Sequence, residues 1–311
     1  MTRENAPRFG VAGNPPNFWK SKYKSDRLNA VEWLQGIGLN ALELQATYGI
    51  KMPRERALQF REKAEKCGIS LSLHAPYFVN LASKDAGVVN RSIHRVLDAF
   101  QLARWLGTDR IVFHPGGFAG DRNRAVEQLI SGVKIIQNQL PDDGIFLRAE
   151  VGGKINQLGS LDEIITICKE TSIVKPCIDF AHLHAREHGS LISTEDFRRV
   201  FRRIEGDLGS EVLEFLHCHV YPVDFNNSGE KSHKKFTDRR HTEPQLTFFS
   251  KSNPPIQDRY YPRFEPFLDA VIEFNMQPTI ICEAKDSQDE GALLMKAYYT
   301  KKTSQMAQSL S

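Results

Sequence analysis

Eight short apolar runs, each followed by a stretch of helical spacing, divide the chain from Arg8 to Tyr299 with one interruption. This alternation constrains the fold more than any other property, because strand-then-helix repeats call for parallel strands with helices packed outside them. The runs are Arg8–Gly13, Ala41–Gln45, Ile69–His74, Arg110–His114, Gly144–Glu150, Lys175–His182, Val212–Val220 and Pro278–Glu283. Between them lie helical stretches: Asp26–Gly36, Pro53–Cys67 stopped by Gly68, a long segment ending near Gly107, Asn123–Leu140, Ser160–Glu170 opened by a serine cap, Ser193–Leu208, Pro262–Phe274 and Asp289–Tyr299. An open doubly wound sheet would call for a Gly-rich phosphate turn after the first strand, and none is present. The expected fold is therefore α/β, a single (β/α)8 TIM barrel spanning residues 1–311, with 300–311 as a frayed tail and no nucleotide cofactor.

The interruption is a polar insertion from Pro222 to about Pro255, after the seventh strand. Loops of that length in compact domains are usually functional or mobile. Composition adds limits. Charged residues at 25% and hydrophobic ones at 41% are ordinary for a soluble globular chain, and a net charge of +3 does not identify a partner. The five cysteines form no close pairs and sit in apolar contexts, which fits reduced thiols in a cytoplasmic protein. No segment approaches the roughly 18 apolar residues of a membrane span.

Barrel strands place alternate side chains inside, and their C-terminal ends open into the mouth where active sites form. Here the polar residues collect at those ends: His74, His114, Glu150, Asp179, His217 with His219, and Glu283. One such histidine would ordinarily be a hydrogen-bonded core residue; the joint pattern at six successive strand ends points elsewhere. Carboxylates crowded at one mouth repel one another and lose hydration, and bound cations resolve that conflict. Imidazole with carboxylate suits zinc, with manganese or iron as alternatives, and a site of several metals suits phosphate-ester cleavage. His94, Cys177 and Cys282 read as packing or helix residues, His184 and His188 as solvated loop residues, and the run Arg198, Arg199, Arg202, Arg203 as an exposed helix face.

The runs Leu73–Asn80 (LHAPYFVN), Phe113–Gly116 (FHPG), Cys177–His182 (CIDFAH) and Ile280–Glu283 (IICE) resemble the successive signatures of endonuclease IV, the zinc-dependent apurinic/apyrimidinic endonuclease of the xylose-isomerase-like barrels. The resemblance covers nearly the whole chain. It implies three zinc ions, with manganese as an alternative at one site. His74 and His114 would hold one ion with Glu150, which bridges to a second completed by Asp179, a strand-seven histidine and Glu283. His182 would hold the third with the insertion. The common Asp-x-His of that loop is absent; Gly229–His233 (GEKSH) resembles an archaeal-type branch and favours His233 with Glu230, the alternative being His241 with Asp238. His217 and His219 share a face; His217 is preferred as ligand, leaving His219 a supporting or substrate-binding role. Strand five ends in Glu-Val-Gly-Gly-Lys rather than the familiar Glu-x-Thr/Ser-Ala-Gly, keeping the ligand and changing its neighbours.

The resemblance further implies double-stranded DNA with abasic sites as partner and hydrolysis of the phosphodiester 5′ to the lesion. By the same resemblance Glu150 and Glu283 would be the catalytic carboxylates, and Tyr77 and Phe78 are candidates for the contact to the minor groove. Two other readings share the fold: a metal-dependent sugar isomerase or epimerase, and a non-catalytic protein that binds DNA or metal.

Overall fold

A computed structural model describes residues 6–46, 49–236 and 261–310. The expected strands form in chain order: β1 (Arg8–Ala12), β2 (Ala41–Gln45), β3 (Ser70–His74), β4 (Arg110–Phe113), β5 (Phe146–Glu150), β6 (Val174–Asp179) and β7 (His217–His219). The insertion then contributes β8 (Val223–Asn226) and β9 (Gly229–His233), and β10 (Thr279–Cys282) returns to the barrel. Eight of these close in the order β1-β10-β7-β6-β5-β4-β3-β2, every pair parallel. The chain is thus the expected (β/α)8 TIM barrel. Gly10 sits where β1 is pressed against β2, and any side chain there would collide with the Ala41 backbone.

The helices stop and start where their end residues dictate. Arg54–Cys67 ends at Gly68 and Ala86–Leu106 at Gly107, both glycines left-handed with φ of 66° and 67°, a conformation costly for residues with a Cβ. Asp85 and Asp121 accept from the first free amides of their helices, and Ser160 with Glu163 forms a reciprocal cap on Leu161–Glu170. None of the helices in the described residues is long and apolar enough to cross a membrane.

Four local expectations differ from the structure. The seventh strand is only three residues long, because Val212–Glu214 falls within a short helix, Ser210–Glu214, that consumes the first half of the apolar run. The insertion opens with the antiparallel β8–β9 hairpin, whose only alternating apolar residues are Val223 and Phe225. The last helix runs from Gln288 to Leu310, so 300–310 is helical rather than frayed; that stretch contains no glycine or proline to stop it. His184 is buried, its Nδ1 accepting from the Leu191 amide and its ring stacked on Tyr261.

Behind β6, Phe180 packs against Phe197 and Phe267 with centroids 5.5 and 4.9 Å away, and Phe201 closes the group against Phe267 at 6.2 Å. These buried rings seat the residue that directly follows Asp179, so the apolar layer outside the barrel fixes where the mouth carboxylate stands. Replacing Phe267 by Ala is expected to cost about 3–5 kcal/mol in urea unfolding, the usual penalty for emptying a buried ring site; a loss below about 1 kcal/mol would show that the cluster does not support β6.

Candidate metal centre

Strand ends place His74, His114, Glu150, Asp179, His219 and Glu283. Asp179 closes β6 and caps the following helix Phe180–Arg186, its Oδ1 accepting from the His182 amide at 2.7 Å. That cap turns the chain so sharply that His182 comes back over the mouth within the first helical turn. Parallel pairing sets Asp179 beside His219, and Glu150 beside Cys177.

Among the described residues the donors gather in five groups: His74, His114 and Glu150; Glu150, Asp179 and His219; Glu43, His219 and Glu283; Cys177, His217 and His219; and His182, Glu230 and His233, the last sharing no member with the rest. The ligand atoms of each group lie within 4.8 Å of one another. Glu150 is the common member of the first two. Its Oε2 is 3.1 Å from His74 Nε2 and 3.3 Å from His114 Nδ1, while its Oε1 is 3.2 Å from His219 Nδ1. In the last group, Glu230 stands 3.3 Å from both His182 Nε2 and His233 Nε2. This group is therefore built on the Glu230 and His233 pair favoured from sequence; His241 and Asp238 lie outside the described residues.

His217 is grouped with Cys177 and His219 and stands away from the other carboxylates of the mouth. Its Nε2 meets Glu43 Oε2 at 2.9 Å, whereas His219 approaches Glu150, Asp179 (3.7 Å) and Glu283 (3.8 Å). Two residues along a strand correspond to about 6–7 Å. Strands in a barrel tilt and are staggered, so equal register does not mean equal depth, and a three-residue strand leaves only its last residue at the mouth. Glu43 is a site residue that the sequence reading misses. It is fully buried in the middle of β2 and paired with Ser72, two residues before His74, a neighbourhood that shows only once the strands are paired.

The ion-pair partners of Glu43, Glu150, Asp179, Glu230 and Glu283 are all histidines among the described residues; no lysine or arginine reaches them. Burial and the absence of a fixed cation make this a donor set suited to divalent ions. The backbone prepares three of the rings. The Nδ1 atoms of His74, His182 and His233 lie 2.9, 2.9 and 2.8 Å from the carbonyls of Ala75, Val151 and Glu283, which turns each Nε2 toward a carboxylate. Burial pushes the Glu150 carboxyl up, but His114 and His219 outweigh it and hold the group well below the usual range. Burial pushes His74 down, and Glu150 more than reverses this, lifting it to about 9. His182 and His219 also lie well above their ordinary value, against burial, through Asp179 and through Cys177 and Glu43 respectively; His114, with burial dominant, falls to about 4.

A cavity of about 480 Å³ opens over these groups, lined by Tyr77, Phe78, Lys154, Gln157, Glu230 and Glu283 among others. Tyr77 and Phe78 are 59% and 44% exposed, so both stand free at the rim. The Tyr77 ring stacks on His114 with centroids 5.3 Å apart, and the Arg95 guanidinium lies 4.5 Å over Phe78. On the far side the hairpin docks on strand five's loop: the Glu230 amide donates to the Gly153 carbonyl at 2.9 Å. A Cβ on Gly153 would stand 2.6 Å from His182 Cδ2 and 2.8 Å from Glu230 Cβ, which gives the departure from the familiar strand-five motif a physical reason.

A (β/α)8 barrel with clustered imidazole and carboxylate donors at its mouth defines a class of fold and site. The chain belongs to the family described as Xylose isomerase-like TIM barrel, whose pattern matches residues 31–303. An uncharacterized protein of Methanocaldococcus jannaschii is 29% identical over 302 residues, covering 96% of this chain and 99% of that one. A probable endonuclease 4 of Mycoplasma genitalium is 30% identical over 166 residues, and the match spans about half of each protein, 52% of this chain and 54% of that one. Among solved structures, endonuclease IV from Thermus thermophilus superposes with a TM-score of 0.67 at 18% identity over 95% of this chain and 100% of that one. The 3-keto-D-glucoside 4-epimerase of E. coli gives 0.64 at 9% identity, over 95% and 99%. These two likenesses speak to the fold alone.

Two measurements follow from this geometry. His74, at about 9 in the metal-free fold, is protonated at pH 7, and ligation requires its neutral form. Metal uptake at pH 7 is therefore expected to release protons, His182 and His219 adding to His74, and the release should decline as pH rises through about 9. Calorimetry in buffers of different ionisation enthalpy reads this directly, and a buffer-independent heat at pH 7 would contradict it. Gly153→Ala is expected to push His182 from Glu230 and lower metal retention against a chelator; retention equal to the parent's would show that the close approach is immaterial.

Proposed function

We propose that this chain is a zinc-dependent phosphodiesterase that hydrolyses double-stranded DNA on the 5′ side of abasic sites. The observation that carries this reading is the donor group His182, Glu230 and His233, standing beside the two that share Glu150. Polarising a sugar carbonyl needs fewer ions than this arrangement provides for, whereas in-line phosphoryl displacement uses charge on both the attacking and the leaving oxygen. The likeness of half the chain to a probable endonuclease 4 supports it.

In this reading His74 and His114 with Glu150 hold one ion; Glu150, Asp179, His219 and Glu283 a second; and His182, Glu230 and His233 a third. Manganese is the alternative at one site. When bound, the ions supply a lowered water pKa and neutralise charge on the phosphate. The protein's own residues do the rest. Glu150 keeps the first two groups in register, its two oxygens facing different histidines. Glu283, which lines the cavity at the edge of the second group, is the residue placed to orient the attacking water and take its proton. Tyr77 and Phe78 offer flat apolar faces that suit the gap left by a missing base, and Arg95 braces Phe78 by donating to its carbonyl at 3.2 Å. Lys154 adds a cation toward the DNA backbone.

The test is a duplex carrying one abasic analogue, incubated with metal-analysed protein. The parent is expected to nick 5′ of the analogue and leave a 3′-hydroxyl, and Glu283→Gln to cut on the order of 10²-fold more slowly or worse. A fully loaded parent that leaves the duplex intact, or a variant as fast as the parent, would overturn the proposal; epimerisation of a ketose by that same parent would replace it with the sugar reading.

A further inference from the structure

Three of the imidazoles at the mouth have Nδ1 at a backbone carbonyl, that of His182 also lying 3.3 Å from Glu150 and 3.2 Å from Asp179. His219 does not. It is turned the other way, with Nδ1 facing Glu150, Asp179 and Glu283, and Nε2 pointing down into the barrel. That buried Nε2 has no aligned hydrogen-bond partner, and the carboxylate oxygen it faces is Glu43 Oε1, 3.2 Å away.

Glu43 is itself held from several sides. Its Oε2 accepts from Ser72 Oγ at 3.0 Å and from His217 Nε2 at 2.9 Å. Gln45 Nε2 reaches Oε1 at 3.4 Å, a longer contact that leaves room for a second donor. Glu43 and His219 are both fully buried, so water is not at hand to replace either partner.

We propose that Glu43 is a positioning residue of the metal centre: it accepts the Nε2 hydrogen of His219, fixing the tautomer that leaves Nδ1 free for an ion, while Ser72 and His217 hold Glu43 in that pose. His217 then has a task other than ligation, which accounts for a second histidine on a three-residue strand. A carboxylate behind a ligating imidazole raises its basicity more than a backbone carbonyl does, so His219 becomes the strongest imidazole donor of the set. The inference rests on the metal reading of this mouth and is independent of whether DNA is the substrate.

Glu43→Gln is the informative change. A glutamine offers one acceptor oxygen in place of two, so it satisfies either His219 or the Ser72 and His217 pair, and its amide meets a donor at the other side. In zinc-loaded protein labelled with 15N-histidine, the parent is expected to show His219 with a protonated Nε2 and a metal-bound Nδ1. Glu43→Gln is expected to lose that signal and to release zinc to a competing chelator about 10–100-fold more readily, measured at a temperature where its metal-free fold is intact. Ser72→Ala, which removes one donor to Glu43 and nothing else, should weaken zinc by less than about tenfold.

A parent in which Nε2 is the metal-bound nitrogen overturns the inference without any variant having to fold. So does a Glu43→Gln protein that retains zinc like the parent, and either result leaves the metal reading standing. A parent that takes up no zinc overturns the metal reading and this inference with it.

Discussion

Five carboxylates, Glu43, Glu150, Asp179, Glu230 and Glu283, converge at the centre and mouth of this barrel with only imidazoles for ion-pair partners among the described residues. Everything else about the site follows from that crowding. Buried carboxylates without counter-charge would protonate or drive the strands apart. In the metal-free fold the histidines supply the compensation: His74, His182 and His219 are lifted while Glu150 and Glu43 are held low. Protons and any divalent ion would thus compete for one set of donors, and imidazole can serve both.

Such a site needs a frame that does not relax. Closed parallel pairing leaves no free edge, and the helices outside lock each strand end through apolar contacts such as the Phe180, Phe197 and Phe267 group. The interior itself is the exception to usual barrel packing. Where layers of branched aliphatic residues would normally fill the barrel, this chain stacks Ser72, Glu43, His217 and His219, all nearly or fully buried. Hydrogen bonds replace dispersion there, and each one is directional. A polar column of this kind specifies angles that an apolar core would leave free.

Much of this is legible in the sequence because period-two strands and capped helices leave strong local signals. His74, Glu150 and Asp179 close β3, β5 and β6, and His114 and Glu283 directly follow β4 and β10. The gaps have particular causes. Val212–Glu214 is as apolar as a strand yet lies in a short helix, so the depth of His217 inferred from the run is measured from the wrong start. Glu43 escapes notice because one buried glutamate in an alternating run looks like an ordinary outward residue until the opposing strands are known. In the β8–β9 hairpin only Val223 and Phe225 of the first strand alternate with polar residues, and the second strand, GEKSH, carries no apolar side chain, so the pattern is too short to distinguish it from loop.

The hairpin also changes how the site should be understood as a unit. Glu230 and His233 come from it, yet their positions are set by the barrel: the Glu230 amide is bound to the Gly153 carbonyl, and the His233 ring to the Glu283 carbonyl. Tyr221 makes the connection tighter. Its hydroxyl donates to Asp179 Oδ2 at 2.9 Å while its ring stacks on His233 at 4.2 Å. Asp179 belongs to the group built by the strands and His233 to the group built by the insertion, so a single buried phenol touches both. Moving the hairpin would therefore disturb Asp179, and loss of Asp179 would unseat His233. The hairpin's donor group is an extension of the barrel mouth rather than an appended site, which is why an insertion of weak sequence pattern can hold donors to ångström positions.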